Sequence, residues 1–170
     1  MNNNKLPYAK AICYSGYRDG QDPDGGGFPS YHQVKQDLLI LKDEWKSLRL
    51  YGSDQHSMTI LEVIEKECLP FDVMLGAYIT AEVSNDHCPW GGHYSEEELA
   101  TNKQHNRQQI EQLIQLASQY PQIISSISIG NEAAVSWTDH LVPTENLVEY
   151  AKQAKSQVTQ PVTFCENYVP

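Results

Sequence analysis

Within six residues, the run Ile127-Ser128-Ile129-Gly130-Asn131-Glu132 passes from apolar and β-branched to glycine, amide and acid. An apolar run of that kind reads as a buried strand. An acid at its carboxyl end lies where parallel α/β folds gather their chemistry. A carboxyl group there can give or take a proton, and the Asn131 amide beside it can hold a ligand hydroxyl. A lone strand-end Glu is more often a solvated or ion-paired loop residue. The amide neighbour and the buried strand set Glu132 apart as the candidate acid/base.

Polar and aromatic residues recur behind every other strand-like run. Tyr14, Ser15, Tyr17 and Arg18 follow the first. Tyr51, Asp54 and His56 follow the second, with Arg49 inside it. Tyr78, Thr80 and Glu82 follow the third. Trp137, Asp139 and His140 come after Asn131-Glu132, and Glu166, Asn167 and Tyr168 come after the fifth. Aromatic faces stack on the C–H faces of sugar rings, while amides and carboxylates bond the hydroxyls. The expected ligand contacts are Tyr14, Arg49, Tyr51, Tyr78, Asn131, Trp137, Glu166, Asn167 and Tyr168. An arginine inside an apolar strand calls for an acidic partner, and Glu166 is a candidate; the alternative is a structural bridge. Trp90, in Cys88-Pro89-Trp90-Gly91-Gly92, reads equally as a sugar platform or a loop plug.

Other chemistries find less support. Asp86-His87-Cys88 and His93 are metal-ligand types, but their spacing matches no standard zinc arrangement, so neither metal nor cofactor is expected. Gly25-Gly26-Gly27 lacks the Lys-Ser/Thr of a phosphate loop and the dinucleotide fingerprint. No Gly-x-Ser-x-Gly elbow is present.

Five short apolar runs must position these groups: residues 11–14, 47–51, 72–78, 123–129 and 162–165. Helical patterns separate them. Ser30 and Gln33 form a capping box before Val34, Leu38, Leu41 and Trp45. Ser57 is the predicted cap of a helix burying Ile60, Leu61 and Ile64. Ser95 and Glu98 form a second capping box, opening a long helix that buries Ile110, Leu113, Ile114 and Ala117 and stops at Pro121. Pro143 and Thr144 open the last, through Leu147, Tyr150, Ala151 and Ala154. Alternation of this kind predicts an α/β fold with a parallel sheet and right-handed crossovers.

The 170 residues suffice for one domain with a real core, and a 40% hydrophobic content is globular. A net charge of −10 argues against nucleic acid and anionic membrane surfaces as partners and leaves a neutral substrate open. No apolar run approaches the ~20 residues that cross a bilayer. Met1-Asn-Asn-Asn-Lys has no apolar stretch, so a signal peptide is not expected. Cysteines at 13, 68, 88 and 165 include no Cys-x-x-Cys pair and read as reduced, mostly buried thiols of a cytoplasmic protein.

The chain resembles the first part of bacterial members of glycoside hydrolase family 17, the β-1,3-glucanase family of clan A barrels. The segments that carry the resemblance are Ile12-Cys13-Tyr14-Ser15-Gly16-Tyr17, Leu48-Arg49-Leu50-Tyr51, Val73-Met74-Leu75-Gly76-Ala77-Tyr78, Ser128-Ile129-Gly130-Asn131-Glu132, and Pro161 through Tyr168. The resemblance implies a (β/α)8 barrel, of which about five units are present, and retaining cleavage of β-glucan. It implies that Glu132 is the acid/base and that the nucleophile is a Glu after a seventh strand with no counterpart here. A barrel of this type takes ~250 residues, so residues 1–170 are expected to be one domain, its N-terminal portion. Open strand edges then make a homodimer an expected partner arrangement. A non-catalytic glucan-binding or half-barrel assembly piece is the alternative reading.

Overall fold

The computed structural model describes residues 8–167; the expected contact Tyr168 lies outside them. Strands and helices alternate as β1 (Ala11–Cys13), α1 (Tyr31–Leu41), β2 (Ser47–Leu50), α2 (Gln55–Lys66), β3 (Asp72–Ala77), α3 (Glu96–Gln119), β4 (Ile124–Asn131), α4 (Thr144–Gln157) and β5 (Val162–Cys165). The five strands form one parallel sheet in the order β1-β2-β3-β4-β5. A parallel sheet with a helix in every crossover is what the alternation predicted; the sequential order agrees with the barrel that the resemblance implies.

The pleat sorts the side chains. Leu48, Leu50, Val73, Leu75, Ile127 and Ile129 are buried, and the core that contains them takes Val34 and Leu38 from α1, Ile60 and Ile64 from α2, Ile110 and Leu113 from α3, and Leu147 from α4. Each such side chain contributes roughly 1.5–3 kcal/mol on burial. The alternate positions Ala11, Cys13, Ser47, Arg49, Asp72, Met74 and Ser126 line a cavity of about 310 Å³. Ile12 and Leu48 belong to its lining as well, so the cavity is mixed, with Arg49 and Asp72 as its charged members.

Local chemistry sets the helix starts. Ser30 and Ser95 each accept from the third helical N–H and receive the side chain of Gln33 or Glu98 in return. Helix α2 corrects the expectation: Asp54, not Ser57, is its cap, accepting the Ser57 N–H at 2.9 Å. The Ser57 hydroxyl instead donates to the Gly52 carbonyl. At Gly76 a Cβ would meet the Tyr51 and Leu50 carbonyl oxygens at 2.5 and 2.6 Å, so only glycine lets β3 lie this close to the end of β2. The thiols depart from expectation as well. Cys88 is buried, Cys165 half-buried, and Cys13 and Cys68 are exposed. Among the described residues no helix is long and apolar enough to cross a membrane.

Candidate active site

β4 does not stop at Ile129 but runs to Asn131, and the ladder to β5 slips between Ile129 and Asn131. Gly130 (φ 74°) and Glu132 (φ 53°) both take the left-handed region. For glutamate this is an uncommon conformation, and such outliers gather at functional positions. Neighbouring groups hold it in place. The Glu132 N–H donates to the Cys165 carbonyl at 2.9 Å, and the Val142 N–H to the Ala133 carbonyl at 2.8 Å. His140 Nε2 lies 2.8 Å from the Asn131 carbonyl. His140 Nδ1 faces Asp139 at 2.7 Å and the Thr138 hydroxyl at 3.0 Å.

The structure brings several of the expected residues to this turn. Asn131 Oδ1 accepts from Arg49 Nη2 at 2.6 Å. The Arg49 guanidinium lies over the Tyr51 ring, 4.7 Å from its centroid. Glu166 Oε2 accepts the Ala134 N–H at 3.0 Å. Burial raises the Glu166 carboxyl above its ordinary value; the N–H groups of Ala134 and Asn167 oppose this, and the negative charge of Glu132 adds to it. Tyr78 packs against the His140 ring at 5.3 Å. Its phenol is pushed up first by burial and then by Asp139, Asp24, Tyr94 and Glu132. Tyr51 is pushed up by its hydrogen bond with Cys13 and then by burial, with Arg49 opposing. Trp137 is half-buried and Asn167 exposed.

Two expectations fail on geometry. Tyr14 is not at the mouth: it is 8% exposed, its hydroxyl donates to Asp37 of α1 at 2.8 Å, and it packs in the core. Arg49 does not pair with Glu166 or with any other carboxylate of the described residues. It is half-buried, its nearest acceptor is an amide, and its Nε is buried without a partner.

Several residues that the sequence reading placed behind the strands, without a role, turn out to be positioning residues. Glu82 accepts from Asn106 of α3 and from Asn146 and Tyr150 of α4, so it ties the exit of β3 to both helices and is not open to a ligand. Burial, followed by the bond to Glu82, drives the Tyr150 phenol far upward. His56 is 5% exposed and takes the Gly16 N–H on Nε2 at 3.1 Å. It packs, tilted, against Tyr17 at 4.9 Å and so folds the loop after β1 inward. The signal was a polar residue just past a strand, which also marks ordinary loops. No cluster of three or more His, Cys, Asp or Glu among the described residues could hold a metal ion.

A sequentially ordered parallel sheet, helices packed on the Leu48–Leu75–Ile129 side, and acids and aromatics at the strands' carboxyl ends define an α/β fold of the glucanase-like kind. Among solved structures the chain is similar to an endo-laminarinase from Formosa Hel1_33_131, with a TM-score of 0.68 and 25% identity. That likeness covers 93% of this chain and 42% of the other, so the chain spans less than half the length of that structure. No protein-family model and no curated protein matches it.

Proposed function

We propose that the chain is one domain portion of a (β/α)8 barrel that cleaves β-glucan with retention, in the manner of family 17, and that Glu132 is its acid/base. The observation that carries this reading is the left-handed turn at Glu132, at the carboxyl end of β4, in a fold similar to that of an endo-laminarinase.

The chemistry needs two carboxyl groups ~5–5.5 Å apart, one protonated and one ionised. Glu132 gives its proton to the glycosidic oxygen as the bond to the anomeric carbon breaks. The ionised partner closes on that carbon and forms the glycosyl-enzyme. Glu132, now ionised, takes a proton from water, and the water oxygen displaces the partner carboxylate. Glu166 does not suit the partner's role, because its Oε2 is occupied by the Ala134 N–H that braces the turn. The resemblance to family 17 assigns the partner to a Glu on a strand beyond these five. Arg49, a cation with a buried Nε donor lacking an acceptor among the described residues, is suited to hold it. Tyr51, Tyr78, Asn131, Trp137, Glu166, Asn167 and Tyr168 are the proposed sugar contacts.

The test is made in a polypeptide that supplies the remaining strands. Glu132→Gln is expected to slow hydrolysis of laminarin by ~10²–10⁴-fold. An aryl glucoside whose leaving group needs no proton should lose far less in its first step, and azide should restore turnover of Glu132→Ala with a retained product. Near-normal laminarin hydrolysis by Glu132→Gln refutes the assignment.

A further inference from the structure

The peptide unit between Asn131 and Glu132 is held at both of its polar ends. Its N–H donates to the Cys165 carbonyl of β5 at 2.9 Å. Its carbonyl oxygen lies 2.8 Å from His140 Nε2. A carbonyl only accepts, so Nε2 carries a proton and donates it. A peptide unit is planar, and pinning its oxygen on one side and its N–H on the other stops the plane from rotating. That rotation sets the φ of Glu132, which is 53°. A glutamate leaves this region for the common ones unless its surroundings hold it there. The same angle sets the direction of the Cα–Cβ bond relative to β4, and with it where the carboxyl stands.

His140 is itself fixed. Only 16% of its side chain is exposed. Nδ1 meets Asp139 Oδ1 at 2.7 Å and the Thr138 hydroxyl at 3.0 Å. A neutral ring accepts the Thr138 hydroxyl on Nδ1, and a protonated ring donates from Nδ1 to Asp139. Both states keep the Nε2 proton on the Asn131 carbonyl. The Tyr78 ring, just past β3, covers the imidazole with centroids 5.3 Å apart. The loop that carries His140 is closed at its base by the Val142 N–H on the Ala133 carbonyl at 2.8 Å. Asn85, 3% exposed, holds the rest of it by donating to the carbonyls of Ser136 at 2.9 Å and Thr138 at 2.7 Å. Its amide oxygen accepts the His87 N–H at 3.0 Å, so every polar group of this clamp is satisfied.

We propose that His140 is the positioning residue of the acid/base: its Nε2–H, oriented by Asp139 and Thr138, holds the Asn131–Glu132 peptide in the left-handed turn and so aims the Glu132 carboxyl at the bond to be cleaved. This rests on the reading of Glu132 as the acid/base of a β-glucan site and adds to it the group that keeps the acid in place. His140 acts through the turn and not through the sugar, so its loss is felt in the step that needs the proton and little in binding.

The test uses the polypeptide that supplies the remaining strands, with Glu132→Gln assayed beside the His140 variants. His140→Leu keeps the bulk of the side chain and loses the donor. It is expected to lower kcat on laminarin about a hundredfold with KM little changed. The aryl glucoside whose leaving group needs no proton should lose far less in its first step. His140→Gln brings an amide N–H near the place of Nε2 and should recover most of the laminarin rate. A full laminarin rate in His140→Leu, or equal losses on the two substrates, overturns the positioning role; an inactive Glu132→Gln then leaves the acid/base reading standing. If His140→Leu does not fold, His140→Gln decides alone: laminarin hydrolysis close to that of the parent upholds the role, and a loss as large as that of Glu132→Gln overturns it. Normal laminarin hydrolysis by Glu132→Gln overturns the acid/base reading, and this inference with it.

Discussion

Glycine at position 132 should make a more stable protein than alanine does. Glu132 has φ 53°, where the Cβ of an L-residue crowds the following carbonyl oxygen. That costs roughly 1–2 kcal/mol. Glu132→Gly and Glu132→Ala both remove the carboxylate, so their difference isolates the backbone. Glycine escapes the crowding but loses about 0.5–1 kcal/mol more chain entropy on folding. The balance favours Glu132→Gly by about 0.5–1 kcal/mol. At Ser128, an ordinary extended position in the same strand, the sign reverses, and Ser128→Gly should be the worse of its pair by a similar amount. Urea unfolding followed by circular dichroism measures both pairs, and equal slopes confirm that the midpoints report stability. If Glu132→Ala is as stable as Glu132→Gly, the turn is not left-handed, and the argument for a strained functional position fails. The expected result means that this turn carries a strain that a glycine there would relieve.

Three further outcomes follow from the same structure. Arg49→Met should cost about 1.5 kcal/mol, the value of a hydrogen bond to a charged group, because its partner is the Asn131 amide; a loss of ~3–5 kcal/mol in urea unfolding would reveal an unpaired buried carboxylate instead. His56 accepts the Gly16 N–H only when neutral, and burial lowers its proton affinity below the ordinary 6.5, against the opposing charges of Asp54 and Asp37. The unfolded chain therefore binds the proton first, so stability should fall as pH drops from 6.5 through the lowered folded value; a denaturation midpoint with no fall in that window refutes this. β1 and β5 each have one strand neighbour among the described residues, so the 170-residue polypeptide should associate through those edges; sedimentation as a monomer at all concentrations would refute it.

What was legible in the sequence was local. All five strands lie where continuous apolar runs predict them, and Ser30 and Ser95 carry capping boxes that can be read from two residues. The α2 start was misread by three positions because Asp54 and Ser57 are both good caps, and only geometry shows the carboxylate reaching the Ser57 N–H. Tyr14 was misplaced because its partner Asp37 lies 23 residues away, on a helix whose facing is not written beside the strand. The Arg49 partner lies 82 residues away, and the charge rule pointed to an acid where an amide stands. Asn85 was invisible for a different reason. Its role is to hold two main-chain carbonyls of another loop, and no residue type at positions 136 or 138 advertises that.

The same distinction bears on how so distant a likeness keeps a common shape. The acid-bearing turn is fastened mainly through main-chain groups: the Glu132 N–H to the Cys165 carbonyl, the Val142 N–H to the Ala133 carbonyl, and the Asn131 carbonyl to His140. The loop behind it is fastened by Asn85 to the carbonyls of Ser136 and Thr138. A main-chain acceptor is present whatever side chain it carries. Most lining residues can therefore change without moving the turn, and at 25% identity the fold still superposes with a TM-score of 0.68. Side chains are constrained only where they reach the main chain or where the backbone geometry selects them, as at Gly76, Gly130, Asn85 and His140. The exposed rings of Tyr51, Tyr78 and Trp90 stand on this frame, and their positions are less constrained than those that fasten it.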